Sequence, residues 1–157
     1  MSIFDTLRKK EPFDVIHHVV LVQAPLDIVS SKLSTWFDNK WRSSSQLTFK
    51  GLSSGALQVG SNFTGHFKSF WPVNWKAEVS RFKADELLQF TISGFFEGTE
   101  TVTVEERYDV IKVDYTLKYD IQNPLNQLIW SVFLEDHFVA EVHKALEELK
   151  TYCEKAE

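Results

Sequence analysis

The stretch SVFLEDHFVAEVHKALEEL, residues 131–149, has the apolar spacing of a helix, and Glu135 falls near the centre of its apolar side. At about 100° per residue, Leu128, Val132, Glu135, Val139, Val142, Leu146 and Leu149 form one stripe, widened by Phe138 and Ala145. A carboxylate on such a stripe costs several kcal/mol if it is charged and unpaired. It is therefore expected to be protonated, ion-paired, or bonded to the polar end of a ligand. Desolvation would raise its pKa and suit it to general acid or base chemistry. Two plainer arrangements compete: a helix rotation that leaves Glu135 at the margin in water, and a buried ion pair with a strand residue such as Arg81.

Other chemistry-bearing residues form weaker constellations. In DYTLKY, Tyr115 and Tyr119 share the apolar side of a strand, where a hydroxyl either ties off a core polar group or orients a ligand. His17 and His18 are strand neighbours pointing to opposite faces, so one of them is interior. His137 with Glu141, and His143 with Glu147, have helical i,i+4 spacing and read as solvated surface pairs, each too small for a metal site. GLSSG, residues 51–55, fits the G-x-S-x-G pattern formally. A strand rather than a helix follows it, so Ser53 is read as a loop residue and not a nucleophile.

The elements that must hold these residues follow from periodicity. FDVIHHVVLVQ (13–23) is β-branched and strand-like, and Pro25 opens a short helix over 25–35. STWFDNKW carries a second short helix or turn. From 45 to about 121 the period becomes two, giving six strands with one apolar and one polar face, separated by turn-like breaks. Asn123-Pro124 then opens a long terminal helix. The expected fold is α+β: an antiparallel sheet of about seven strands, the first closing a six-strand meander, curved around the long C-terminal helix.

Composition narrows the function. The 157 residues suit one domain, with residues 1–12 as an extension to a domain over 13–157. A net charge of −5 disfavours a nucleic-acid surface, and Arg8-Lys9-Lys10 reads as a solvated terminus. A lone cysteine, Cys153, and a start lacking a signal peptide's apolar centre favour the cytoplasm. The NFT sequon at 62–64 is then irrelevant, and no apolar run is long enough to span a bilayer.

Three stretches resemble the START-like superfamily, also called SRPBCC or helix-grip, and within it the polyketide cyclase/dehydrase-like branch. VVLVQAPLDIVSSKLSTWFDNKW is similar to that family's opening strand, Ala-Pro step and helix leading to paired tryptophans, here Trp36 and Trp41. YTLKYDIQNPLNQLIW resembles its last strand running through a proline into the long helix, and ALEELKTYCE its C-terminal ending. The resemblance implies the helix-grip fold with a largely apolar cavity between sheet and helix. Such cavities take lipids, sterols, polyketides, hormones or quinones, and a minority of members are enzymes.

Phe63, Phe67, Trp75, Phe90, Ile92, Tyr115 and Leu117 from the strands, with Glu135, Phe138, Val139 and Val142 from the helix, are the expected ligand-binding residues. The first functional reading is binding or transport of a hydrophobic small molecule, with no metal and no cofactor. The alternative is a cyclase or dehydratase acting on a β-keto chain, with Glu135 and Tyr115, or the inward histidine, as its acid/base pair. A third class is an interaction module docking a partner by its sheet or loops; separately, the off-stripe apolar cluster Ile129, Trp130 and Phe133 needs a cover, from Ile3–Leu7 or from a second subunit, so monomer and homodimer both stay open. Trp71, Pro72, Phe95 and Phe96 lie in aromatic loops expected either to form a cavity lip, able to touch a membrane transiently, or simply to close the core end.

Overall fold

A computed structural model describes residues 13–34, 46–51 and 57–155. The Trp36 and Trp41 pair, the second short helix, Ser53, the Arg8-Lys9-Lys10 run and the Ile3–Leu7 cover lie outside the described residues. The chain begins with β1 (Asp14–Val22) and α1 (Leu26–Leu33). Six strands follow: β2 (Leu47–Gly51), β3 (Asn62–Phe67), β4 (Val73–Lys83), β5 (Leu87–Gly94), β6 (Glu97–Arg107) and β7 (Val110–Asp120). All neighbours are antiparallel, in the order β1-β7-β6-β5-β4-β3-β2, so β1 joins the meander beside β7. This is the α+β architecture expected from the periodicity, and the helix-grip fold that the resemblance implies.

Strict alternation produces the faces. In β7, Ile111, Val113, Tyr115, Leu117 and Tyr119 are buried, with Lys112, Asp114, Thr116 and Lys118 opposite. Pairing carries that parity across the sheet: Leu117 faces Ile16 on one side and Glu100 on the other.

The C-terminal segment is three pieces: α2 (Pro124–Ile129), a π-helical turn (Trp130–Leu134) and α3 (Glu135–Lys155). Asn123 caps the start, its side chain accepting from the amides of Leu125 at 2.9 Å and Asn126 at 3.1 Å, with Pro124 in the first turn where no amide is needed. In the π turn the Glu135 amide donates to the Trp130 carbonyl, five residues back. That extra residue per turn shifts the helix phase and corrects the expected stripe. Leu128 and Val132, expected inside, are 59% and 60% exposed, whereas Trp130, expected off the stripe in a cluster needing a separate cover, is 1% exposed and joins the buried line. The true buried line is Trp130, Leu134, Phe138, Val142, Ala145, Leu146, Leu149 and Cys153.

Candidate functional site

Sheet parity places Phe63, Phe67, Trp75, Phe90, Ile92, Tyr115 and Leu117 on the inner face, and α3 sets Phe138 and Val142 against it. Phe63 and Val139 are half-buried; the others are buried.

One end of this interior is filled by rings. Phe96 meets Trp75, Phe95, Tyr119, Trp130 and Phe138 at centroid separations of 4.8–5.5 Å. Trp130 donates its indole N–H to the Tyr119 hydroxyl at 3.1 Å. Offset and edge-on contacts of this kind add to area burial. Of the two placements expected for Phe96, the structure gives the core end: it turns inward from the β5–β6 connection and is 1% exposed. Trp71 does lie near the surface, half-buried, with its indole N–H on Asn126 Oδ1 at 3.0 Å. Burial pushes the Tyr119 hydroxyl pKa well above its ordinary value, Trp130 opposes this, and the charges of Glu135 and Asp14 add to it.

Glu135 accordingly sits at the edge of the buried line, half-buried and within electrostatic reach of Tyr119. Arg81, the example partner in the ion-pair alternative, is exposed on β4. The hydroxyl of Tyr115 donates to Glu100 on β6. Sequence reasoning misses Glu100, although TETVTV places it two residues before Val102 and hence on the same face. It is flanked across the sheet by Phe90 and Leu117, which are 0% and 2% exposed, yet Glu100 is itself only partly buried.

Pairing of β1 decides between the two histidines. His18 lies opposite the inward Tyr115, whereas His17 faces out, its Nε2 2.8 Å from Asp114 Oδ1. His18 stacks on His143 of α3 with centroids 4.3 Å apart, and its Nε2 is 3.2 Å from Glu147 Oε1. His143 and Glu147 are thus not a purely solvated pair: they clasp the helix to β1. Desolvation first, and then the neighbouring His18, lower the His143 pKa against an opposing pull from Glu147. Glu141 likewise reaches off the helix and accepts from the Gln46 amide at 3.0 Å.

An open groove of about 630 Å3 crosses β2–β5, bordered by Phe49, Gly65 and Trp75 together with Thr48, His66 and Asn74. Neither Glu100, Tyr115 nor Glu135 borders it, so this groove and the inward polar groups are separate features. No group of three or more potential metal ligands is assembled among the described residues. No helix among them is long and apolar enough to cross a membrane.

No protein-family model matches the chain, and no curated protein matches it by sequence. Solved structures do match. The KanY protein aligns with TM-score 0.71 at 15% identity, covering 92% of this chain and 99% of that one. TTHA0849 from Thermus thermophilus gives 0.70 at 15% identity, covering 91% and 99%. A Thalictrum norcoclaurine synthase point mutant, in complex with a transition-state analogue, gives 0.64 at 15% identity, covering 92% and 96%. At these identities the likeness concerns the fold.

Proposed function

From the helix-grip fold that this chain shares with those structures, we propose that it binds a hydrophobic small molecule between the inner face of its sheet and the C-terminal helix. The observation that carries this reading is Glu100. A carboxylate in solid core between Phe90 and Leu117 would be fully desolvated at a cost of several kcal/mol. Its partial exposure supports accessible space at that point of the inner face. A mostly apolar wall with few convergent polar groups is what a small-ligand site requires. Glu100 and Tyr115 would take the ligand's polar end. Phe63, Val139 and Glu135, also partly accessible, would border its body, while Phe67, Trp75, Phe90, Ile92, Leu117, Phe138 and Val142 form the wall behind. Native mass spectrometry of the purified protein would detect a co-purified ligand, and Nile red titration would report the apolar site. A Glu100→Leu protein that gains stability while binding Nile red and any co-purified ligand unchanged would defeat this reading.

The hydrogen bond from Tyr115 to Glu100 favours one second reading, acid/base catalysis on a β-keto chain. Glu100 would remove a proton from the carbon beside a carbonyl, and Tyr115 would return one to the developing oxyanion. One neighbour is a synthase holding a transition-state analogue, so the architecture is compatible with catalysis. Turnover of a β-ketoacyl thioester that survives in both Glu100→Gln and Tyr115→Phe would exclude this pair.

A further inference from the structure

A second cleft lies at the opposite end of β4 and β5 from the aromatic cluster, between α1 and the β4–β5 turn. Its volume is about 300 Å3, at the lower end of the range for small-molecule sites. The floor is Leu33 of α1 with Leu88, Val102 and Val104 of the sheet.

Two features show that the cleft is built rather than left over. First, the β4–β5 register shifts between Val79 and Arg81, so that Phe82 pairs with Leu88. Plain alternation from Val79 would turn Phe82 to the outer face; the bulge aims it to the same face as Leu88. There it borders the cleft and remains 40% exposed, an aromatic wall without full cover. Second, Ser30 of α1 borders the same cleft, and its Oγ is buried with no hydrogen-bond partner among the described residues. A buried hydroxyl left unsatisfied is destabilising. The far wall is held in place by its own backbone. Glu86 donates its amide to the Lys83 carbonyl at 3.0 Å, and its carbonyl accepts from the Val104 amide at 2.9 Å. Asp85 takes the left-handed conformation of the turn, with φ of 67°.

We infer that this cleft is a binding site for a small neutral ring compound bearing one hydroxyl, a phenol or a cyclic alcohol. The ring would lie against Phe82 over Leu88 and Val104, and its hydroxyl would pair with Ser30 once the Ser30 side chain rotates its buried Oγ into the cleft. The rim sets the charge preference. Asp27, Asp85 and Glu86 outnumber Lys83, which is already paired with Glu86 at 2.8 Å, so anionic ligands are disfavoured. Neither Glu100 nor Tyr115 borders this cleft, although Val102 in its floor pairs with Tyr115 across the sheet.

The test is amide NMR of the full chain titrated with 2-naphthol, repeated with the 2-naphthoate anion. Saturable shifts are expected at residues 27–34, 82–88 and 102–104, with naphthoate at least fivefold weaker. Ser30→Ala, at a helical position that tolerates alanine, is expected to weaken 2-naphthol at least fivefold. Val104→Trp is expected to fill the cleft and abolish the shifts; Phe82→Ala, which should weaken binding at least fivefold, serves if that variant fails to fold. Shifts confined to residues around Glu100, Tyr115 and Val139, no shifts at all, or affinity unchanged in both Ser30→Ala and Phe82→Ala would overturn the inference.

Discussion

The Tyr115 hydroxyl donates to the Glu100 carboxylate across neighbouring strands β7 and β6, on the face of the sheet that is otherwise apolar. Hydrogen bonds to a charged group are worth about 1.5–3 kcal/mol in folded proteins. Tyr115→Phe is therefore expected to lower stability by roughly that amount in urea unfolding at pH 7. A loss of less than about 0.5 kcal/mol, as for an ordinary surface change, would show that the contact contributes little to the fold.

Gly65 stands directly beside Trp75, and a Cβ there would come within 2.2–2.5 Å of the indole ring. Gly65→Ala must displace Trp75, which packs on Phe49, Phe96 and Phe138. Overpacking of this kind costs about 1–3 kcal/mol. Thermal unfolding should show the loss, accompanied by a changed tryptophan near-ultraviolet circular dichroism signal.

Deleting Ser131, an exposed residue within the π turn, should convert the turn to ordinary helix. Trp130 would then rotate by about 100° relative to Leu134 and leave its seat among the rings. The deletion is expected to cost more than about 3 kcal/mol, the scale of losing a buried large aromatic. Ser131→Ala should cost under about 0.5 kcal/mol, as for an ordinary surface change. Chemical denaturation of the two proteins provides the comparison.

The His18–His143 clasp makes stability sensitive to acid. The His143 pKa is lowered in the fold, so between its folded and unfolded values the unfolded chain binds more protons. Its contribution is complete above the ordinary histidine pKa of about 6.5 and is lost as pH falls through the folded value. His143→Gln should flatten the fall in melting temperature below about pH 6.5 relative to the parent. Parallel curves would remove His143 as the cause.

At the alkaline end, Cys153 and Tyr119 act with the opposite sign. Burial raises the Cys153 thiol from 9.0 to about 11, and burial likewise raises Tyr119. Each neutral form is kept in the fold after the unfolded chain has lost its proton, so stability is complete below the unfolded pKa and declines above it. For Cys153 the decline should begin near pH 9.0 and run to about pH 11. Cys153→Ala should lose less stability over this window than the parent. The same burial predicts slow reaction of Cys153 with thiol reagents at pH 8, accelerating on addition of urea.

Much of this protein was determined locally by its sequence. Alternation of apolar and polar residues sets strand faces without reference to partners, so the sheet, its inner wall and the long helix opened by Asn123-Pro124 were all legible. His18 and Glu100 were legible in principle, since each shares parity with plainly inward neighbours, Ile16 and Val20 for one and Val102 for the other. The continuous apolar run around His18 and the chemical identity of Glu100 concealed them. The tertiary structure alone decided the rest, because it turns on which distant groups are available to pair. The π turn at Trp130–Leu134 is a choice between two backbone hydrogen-bonding patterns, made where Trp130 gains Tyr119 and the ring cluster. That choice rotated Val132 out and left Glu135 at the edge. The β4 bulge that aims Phe82 inward and the docking of His143 on His18 depend in the same way on contacts far apart in sequence, which no local period records.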